Sequence, residues 1–440
     1  MNKNMTLILL LSLFFSCQEE IKYEEEQYKR IIGFEGSSIV EQITELDNGD
    51  LMMIGKIGVS AHSLISTVTG VEINEVEDQG PFIAITDHNG YVKKIKSYPL
   101  EDFEKIDEIK VFNMPNKLTF MDILKNPNGG YHVLGELSGF DFQVTIPQLG
   151  IDTLMESIPG YSQRTPLLFE LDEHLEIQKI ISFNAYEGWD FIIRNKPIMK
   201  PLSEDEFIIL FCNKQTLLPA ANIGYSFFHL THQLDTLGLY ENFDNSNDKF
   251  AYDFDIHDGQ ITVLGTEGGG FYLYQHDMNS QFSVTNSRYV SEDGEAGSNT
   301  NPHYLRVLAN GNLGAIYTDP FNVIKGDIYN AQLEPIYKFE IDGAFPGTTT
   351  IRAPRAFAEM ANGDLLLYSI VIPDNDDPIS GQVIRTTQTG ENIFNLNIAG
   401  SPGDVLELSD GQILFASNAV HNELLQRITL YKVNQNGTLY

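Results

Sequence analysis

Two cysteines, Cys17 and Cys212, are all that the 440 residues contain. No disulfide framework can therefore hold this fold. Tryptophan occurs once, at Trp189. Basic residues are scarce: 28 Lys and Arg stand against 61 Asp and Glu, a formal charge of −33. A chain of that charge repels nucleic-acid phosphates and anionic headgroups, which excludes nucleic-acid partners. The apolar run Met5–Phe15 is shorter than the roughly 20 residues that cross a bilayer as a helix. HExxH, GxSxG and phosphate-loop patterns are missing, as is His/Cys spacing of metal-ligand type. No catalytic residue, metal or cofactor is therefore predicted. What is present suffices for a large core: 42% hydrophobic residues against 20% charged.

The chain opens with Lys3, the apolar run and a small residue, Ser16, before Cys17. That order suits a secretory signal. Leu13-Phe-Phe-Ser-Cys17 resembles the lipobox of bacterial lipoproteins, with Phe14 in the usual leucine position. The resemblance implies a signal peptide at 1–16 and an acylated Cys17 that carries palmitate-type chains. An ordinary signal peptide, with Cys17 incidental, is the alternative. Residues 17–26 are an acidic tether containing Gln18-Glu-Glu20 and Glu24-Glu-Glu26. They resemble the export signal that places Bacteroidota lipoproteins on the outer face of the outer membrane. A solvated tether on an inward-facing lipoprotein would look similar. With Cys17 acylated no intramolecular disulfide remains, and Cys212, inside the apolar Phe207–Cys212, reads as a buried inert thiol.

From residue 27 onward one pattern recurs seven times: an apolar stretch, a tight Asn/Asp-Gly-type turn, and a second apolar stretch. The copies are Leu46–Gly55, Asn126–Gly135, Leu202–Leu210, Ile256–Gly265, Leu308–Ile316, Met360–Tyr368 and Leu408–Ala416. Asn-Gly and Asp-Gly suit hairpin turns because both tolerate positive φ, and Asp205 replaces the glycine in the third copy. Each copy is followed by a second hairpin, of which Phe82–Ile95 is the clearest. Two hairpins in series make a four-stranded meander. Seven meanders predict an all-β fold, a seven-bladed β-propeller of antiparallel blades spanning 27–440. The chain resembles propeller lipoproteins with NGDLLLxG-like repeats. The last unit ends soon after its second turn, so Gln27–Phe34 is expected to supply its outer strand and close the ring.

The links between second and third strands vary in length. Ile57–Gly80 and Leu137–Thr165 are long, whereas Thr266–Gly270 is short. The links between blades, among them Leu100–Leu118 and Asn184–Lys196, also vary. In a propeller both kinds emerge on one face, which is therefore the expected binding face. Its candidate residues are Trp189 in a blade link, and His303, Tyr304, Arg352 and Arg355 at the start of inner strands. The two arginines could pair an anion or a neighbouring carboxylate. His229 and His232, three apart in a strand, should lie on opposite faces and share no metal. Asp244–Asp248 spaces its oxygen side chains as calcium loops do, but lacks the glycine and distant glutamate of such loops. The expected role is a binding or scaffold module, without enzymatic activity, for an outer-membrane protein complex, another lipoprotein or a surface ligand. A propeller enzyme acting on glycans through a carboxylate pair is the alternative.

Overall fold

The computed structural model describes residues 25–26, 29–32, 38–57, 80–98, 110–112, 117–139, 143–146, 151–153, 163–183, 189–190, 196–215, 222–242, 249–267, 270–278, 282–290, 301–319, 323–341, 351–372, 379–421 and 425–438. Cys17, most of the tether, the Ile57–Gly80 link and Asp244–Asp248 lie outside them. Seven antiparallel four-stranded blades form a ring. Blade 1 starts with Ser38–Glu45, blade 2 with Lys117–Lys125, blade 3 with Ile198–Pro201 and blade 4 with Lys249–His257. Blades 5, 6 and 7 start with Asn301–Val307, Ile351–Glu359 and Ser401–Glu407. These first strands are innermost, and successive ones pack against each other. Seven apolar clusters fill the seven seams between neighbouring blades.

The expected closure is present. Lys29–Ile32 pairs antiparallel with Leu425–Val433 as the fourth strand of blade 7, and Ile32 is fully buried in the seam with blade 1.

The turns form where the repeat places them, for a different reason. Gly49, Gly311, Gly363 and Gly411 take positive φ, and the Asn or Asp before each does not. That residue instead accepts, through its side chain, the N–H two positions on: Asn48 from Asp50, Asn310 from Asn312, Asn362 from Asp364, Asp410 from Gln412. Asp258-Gly259 has the double positive φ of a two-residue turn, and in the second repeat Gly129 and Gly130 are both positive. Asp205 does not take positive φ and caps nothing; its N–H donates to Ser203 Oγ. In the outer turns Leu175, Leu234 and Leu333 occupy the left-handed region. Each costs about 1 kcal/mol of strain and is offset by burying a leucine, worth about 2 kcal/mol.

A bulge interrupts six of the seven inner strands near their middle. In three of these blades an aspartate at or just after the bulge carries blade-to-blade hydrogen bonds. Asp122 accepts from its neighbour Ile123 N and from Met199 N of blade 3, at 2.9 and 2.8 Å. Asp253 does the same for Phe254 and Leu305, and Asp404 for Val405 and Ile43. Between blades 3 and 4 Cys212 serves a related purpose: Sγ contacts both N and O of Ala251. The thiol is buried, as expected, and is also a hydrogen-bonding bridge. Asp122→Ala strips two buried N–H groups of their acceptor, each worth about 1–3 kcal/mol. A loss of about 3 kcal/mol in urea unfolding is expected. A change below 0.5 kcal/mol, at the level of a typical surface substitution, would contradict this role.

Candidate functional site

A bulge turns one side chain per blade out of the alternating pattern of a strand. In the inner strands that residue is Glu41, Met121, Tyr252, His303 or Arg355, with Gly403–Asp404 in blade 7. Blade 3 has Pro197 in the matching place, preceded by the exposed Lys196. Non-adjacent blades of a ring approach each other only at its axis. The Glu41 carboxylate of blade 1 nevertheless senses Lys196 of blade 3 and Arg355 of blade 6. Asp404 of blade 7 senses Lys196 and Arg306. These side chains therefore converge on the central channel.

The channel is a mixed-charge site inside an acidic protein. Burial pushes the Glu41 carboxyl up, but Lys56, Lys196 and Arg355 together hold it below its ordinary value. Lys56 pairs with Glu41 at 2.9 Å. Burial raises Asp404 against the opposing pull of the Ile43 and Val405 N–H groups and of Lys196 and Arg306. Arg306 donates to Asp253 at 2.5 Å and to Leu305 O at 2.6 Å. Lys200 meets Asp255 at 3.3 Å. His303 is pushed down to about 4 by burial and by Arg355, so it is neutral at pH 7. Its Nε2 pairs with Thr318 Oγ1 at 2.9 Å. The Tyr304 hydroxyl donates to Arg355 O, fixing the bulge of blade 6 from blade 5.

Of the residues expected on the binding face, the structure brings His303, Tyr304 and Arg355 together. Arg352 opposes Val371 one bulge away, its side chain outside the described set. Trp189 stands apart from that cluster: Trp189–Asp190 pairs with Lys214–Gln215 at the link-bearing end of the second strand of blade 3. Its side chain also lies outside the described set. Two of the variable links share a face. Gln143–Ile146, from the second link of blade 2, pairs with Lys110–Phe112, from the link between blades 1 and 2, and with Ile151–Thr153. Part of the expected Leu137–Thr165 link is strand, because Tyr131–Gly139 and Gln163–Leu171 run in register to their ends.

Glu41, Lys196, Asp253, Arg306 and Asp404 are site residues that the sequence reading missed. His229 and His232 separate as expected, His229 to Glu206 at 2.7 Å and His232 to a stack with His132. Among the described residues no three His, Cys, Asp or Glu gather as a metal site.

No protein-family model matches the chain, and no curated protein matches it. Among solved structures it is similar to the periplasmic gluconolactonase PpgL of Pseudomonas aeruginosa, at 9% identity over 83% of this chain and 91% of that one, TM-score 0.49. It is also similar to the AfRom2 CNH domain, at 11% identity over 92% and 98%, TM-score 0.45. A protein of unknown function from Bacteroides caccae matches at 14% identity over 48% and 69%, TM-score 0.31. At such identities the likeness extends to fold alone. The class is that of seven-bladed β-propellers, defined by the chain's own strand order.

Proposed function

We propose that this protein is a lipid-anchored β-propeller on the extracellular face of the outer membrane. It acts as a binding module for an envelope protein complex or a surface ligand. The observation that carries the reading is the one-sided elaboration of the ring. The links around blades 1 and 2 build an additional three-stranded sheet beyond the blades, while among the described residues the opposite face has only tight turns. Elaborated loops on a rigid scaffold are where recognition concentrates. Glycan cleavage would need two available carboxylates. Around the axis Asp253, Asp255 and Asp404 already accept backbone N–H groups, and Glu41 holds Lys56. This supports binding over hydrolysis.

The test uses two variants. Cys17→Ser should move the protein from the membrane fraction to the soluble fraction, because the acyl chains supply the attachment. Replacing residues 140–162 with a short Gly/Ser link should leave folding and attachment intact, since closure entropy changes slowly with length. The same change should abolish co-purification of a partner from detergent-solubilised membranes. Persistent membrane attachment of Cys17→Ser overturns the anchor. Persistent capture by the link variant overturns the face.

A further inference from the structure

The axial channel holds two cations that the fold does not use. Arg355 is the bulge residue of blade 6, and Lys196 stands two residues before the inner strand of blade 3. Both are exposed. Neither has a carboxylate within ion-pair distance among the described residues, although acids outnumber bases about two to one. Other cations near the axis are paired: Lys56 with Glu41, Lys200 with Asp255, Arg306 with Asp253. Arg355 is also anchored at its backbone, where the Tyr304 hydroxyl reaches its carbonyl across the seam. A guanidinium on a fixed bulge offers its planar donor fork in a set direction, and the Lys196 ammonium, which acts on the same Glu41 carboxylate from blade 3, adds a point charge. Three cations, Lys56, Lys196 and Arg355, act on the single Glu41 carboxylate. Lys196 and Arg306 also act on Asp404, so the described axial groups are Lys56, Lys196, Lys200, Arg306 and Arg355 against Glu41, Asp253, Asp255 and Asp404, one positive charge in excess.

We propose that the channel is an anion-binding site in which Arg355 and Lys196 clamp one oxyanion group, carboxylate or phosphate, of a small ligand, with the Lys56–Glu41 pair as its floor. The neutral His303 imidazole lies beside Arg355 and adds a polar wall without competing charge. The site goes beyond partner capture by the loop face and does not depend on it.

The test is titration of the purified chain by calorimetry and thermal unfolding. Succinate and glucuronate are the carboxylate arm, inorganic phosphate is the phosphate arm, and glucose is the uncharged control. Sodium chloride at matched ionic strength sets the baseline. At about tenfold excess over Kd, one arm should raise Tm by about 2 °C above that baseline. Arg355→Gln and Lys196→Gln should each weaken binding at least about tenfold, because each removes one charge-assisted contact. Glu41→Gln should tighten it by removing the opposing charge. Lys94→Gln, on an outer strand, should change nothing. If neither arm binds above the chloride baseline, or if binding survives both cation variants, the proposal is overturned. The link variant of residues 140–162 keeps the channel and should bind the anion normally, so loss of partner capture and loss of anion binding are separable results.

Discussion

Deleting Lys29–Ile32 should unfold the ring or lower its melting temperature by more than about 10 °C. The segment is four residues long, yet it is the whole outer strand of blade 7. Its removal takes away a ladder running from Lys29 opposite Tyr431 to Ile32 opposite Ile428, at about 1 kcal/mol per hydrogen bond. It also empties the fully buried Ile32 position, about 2–5 kcal/mol for an Ile→Ala change alone. The sum is on the order of a domain's whole stability. A new exposed edge on Leu425–Val433 would then favour pairing between molecules. The damage should reach both neighbours of blade 7. Ring closure also runs through Asp404 to Ile43 N, Asn418 to both N and O of Val40, and Glu45 to Ser409. These bonds join residues 361 to 378 apart in sequence, so their loop-closure cost is among the largest in the chain. Scanning calorimetry of the deletion and of Ile32→Ala checks the order, with the deletion the more severe. A deletion that melts like the intact protein would falsify closure by this strand.

The fold was legible because each blade repeats the same short-range signal. Asn-Gly turns between apolar runs give strands, and seven such units can bury their faces only against one another. The mechanism inside the turns was not legible. Asn48 and its counterparts act by accepting an N–H, and the positive φ falls on the glycine alone. The candidate site was half legible. Stacking the repeats on their turns puts Glu41, His303 and Arg355 each seven residues before the turn asparagine. The channel positions were therefore present in the sequence as a column. Lys196 escapes that alignment, because the third repeat lacks Asn-Gly and its inner strand, Ile198–Pro201, is short. Asp253 and Asp404 were hidden for another reason. An aspartate in an acidic chain reads as solvated, and only the tertiary fold brings a neighbouring blade's N–H to it.

Acid should destabilise this protein between pH 6.5 and 4, with two buried histidines as a main cause. His132 is fully buried, stacked on Phe207 and His232 at centroid distances of 5.0 and 5.3 Å. Among the described residues neither of its ring nitrogens meets a partner with hydrogen-bond geometry, and the His232 backbone only partly offsets the burial. Burial, helped by His232, pushes its pKa down to about 4. His276 is pushed down to about 4 by burial, and bonds the Tyr225 hydroxyl and Phe282 O at 2.8 Å each. The unfolded chain takes up these protons near pH 6.5, whereas the native state refuses them until about pH 4. Their neutral forms therefore carry no penalty above pH 6.5. As pH falls toward 4, each group costs up to about 3 kcal/mol, and no further loss comes from them below that. Two substitutions separate this from general acid unfolding. His132→Phe keeps the stack and removes unpartnered nitrogens, so urea midpoints should be equal or higher at pH 7.5 and clearly higher at pH 5. His276→Phe removes two satisfied hydrogen bonds and leaves the Tyr225 hydroxyl with only the bond it accepts from Asn242, so it should destabilise at pH 7.5 and regain ground only as the pH falls. Equal pH slopes for wild type and His132→Phe would mean that this imidazole is protonated in the native protein, and the acid sensitivity would then belong to the carboxylates that join the blades.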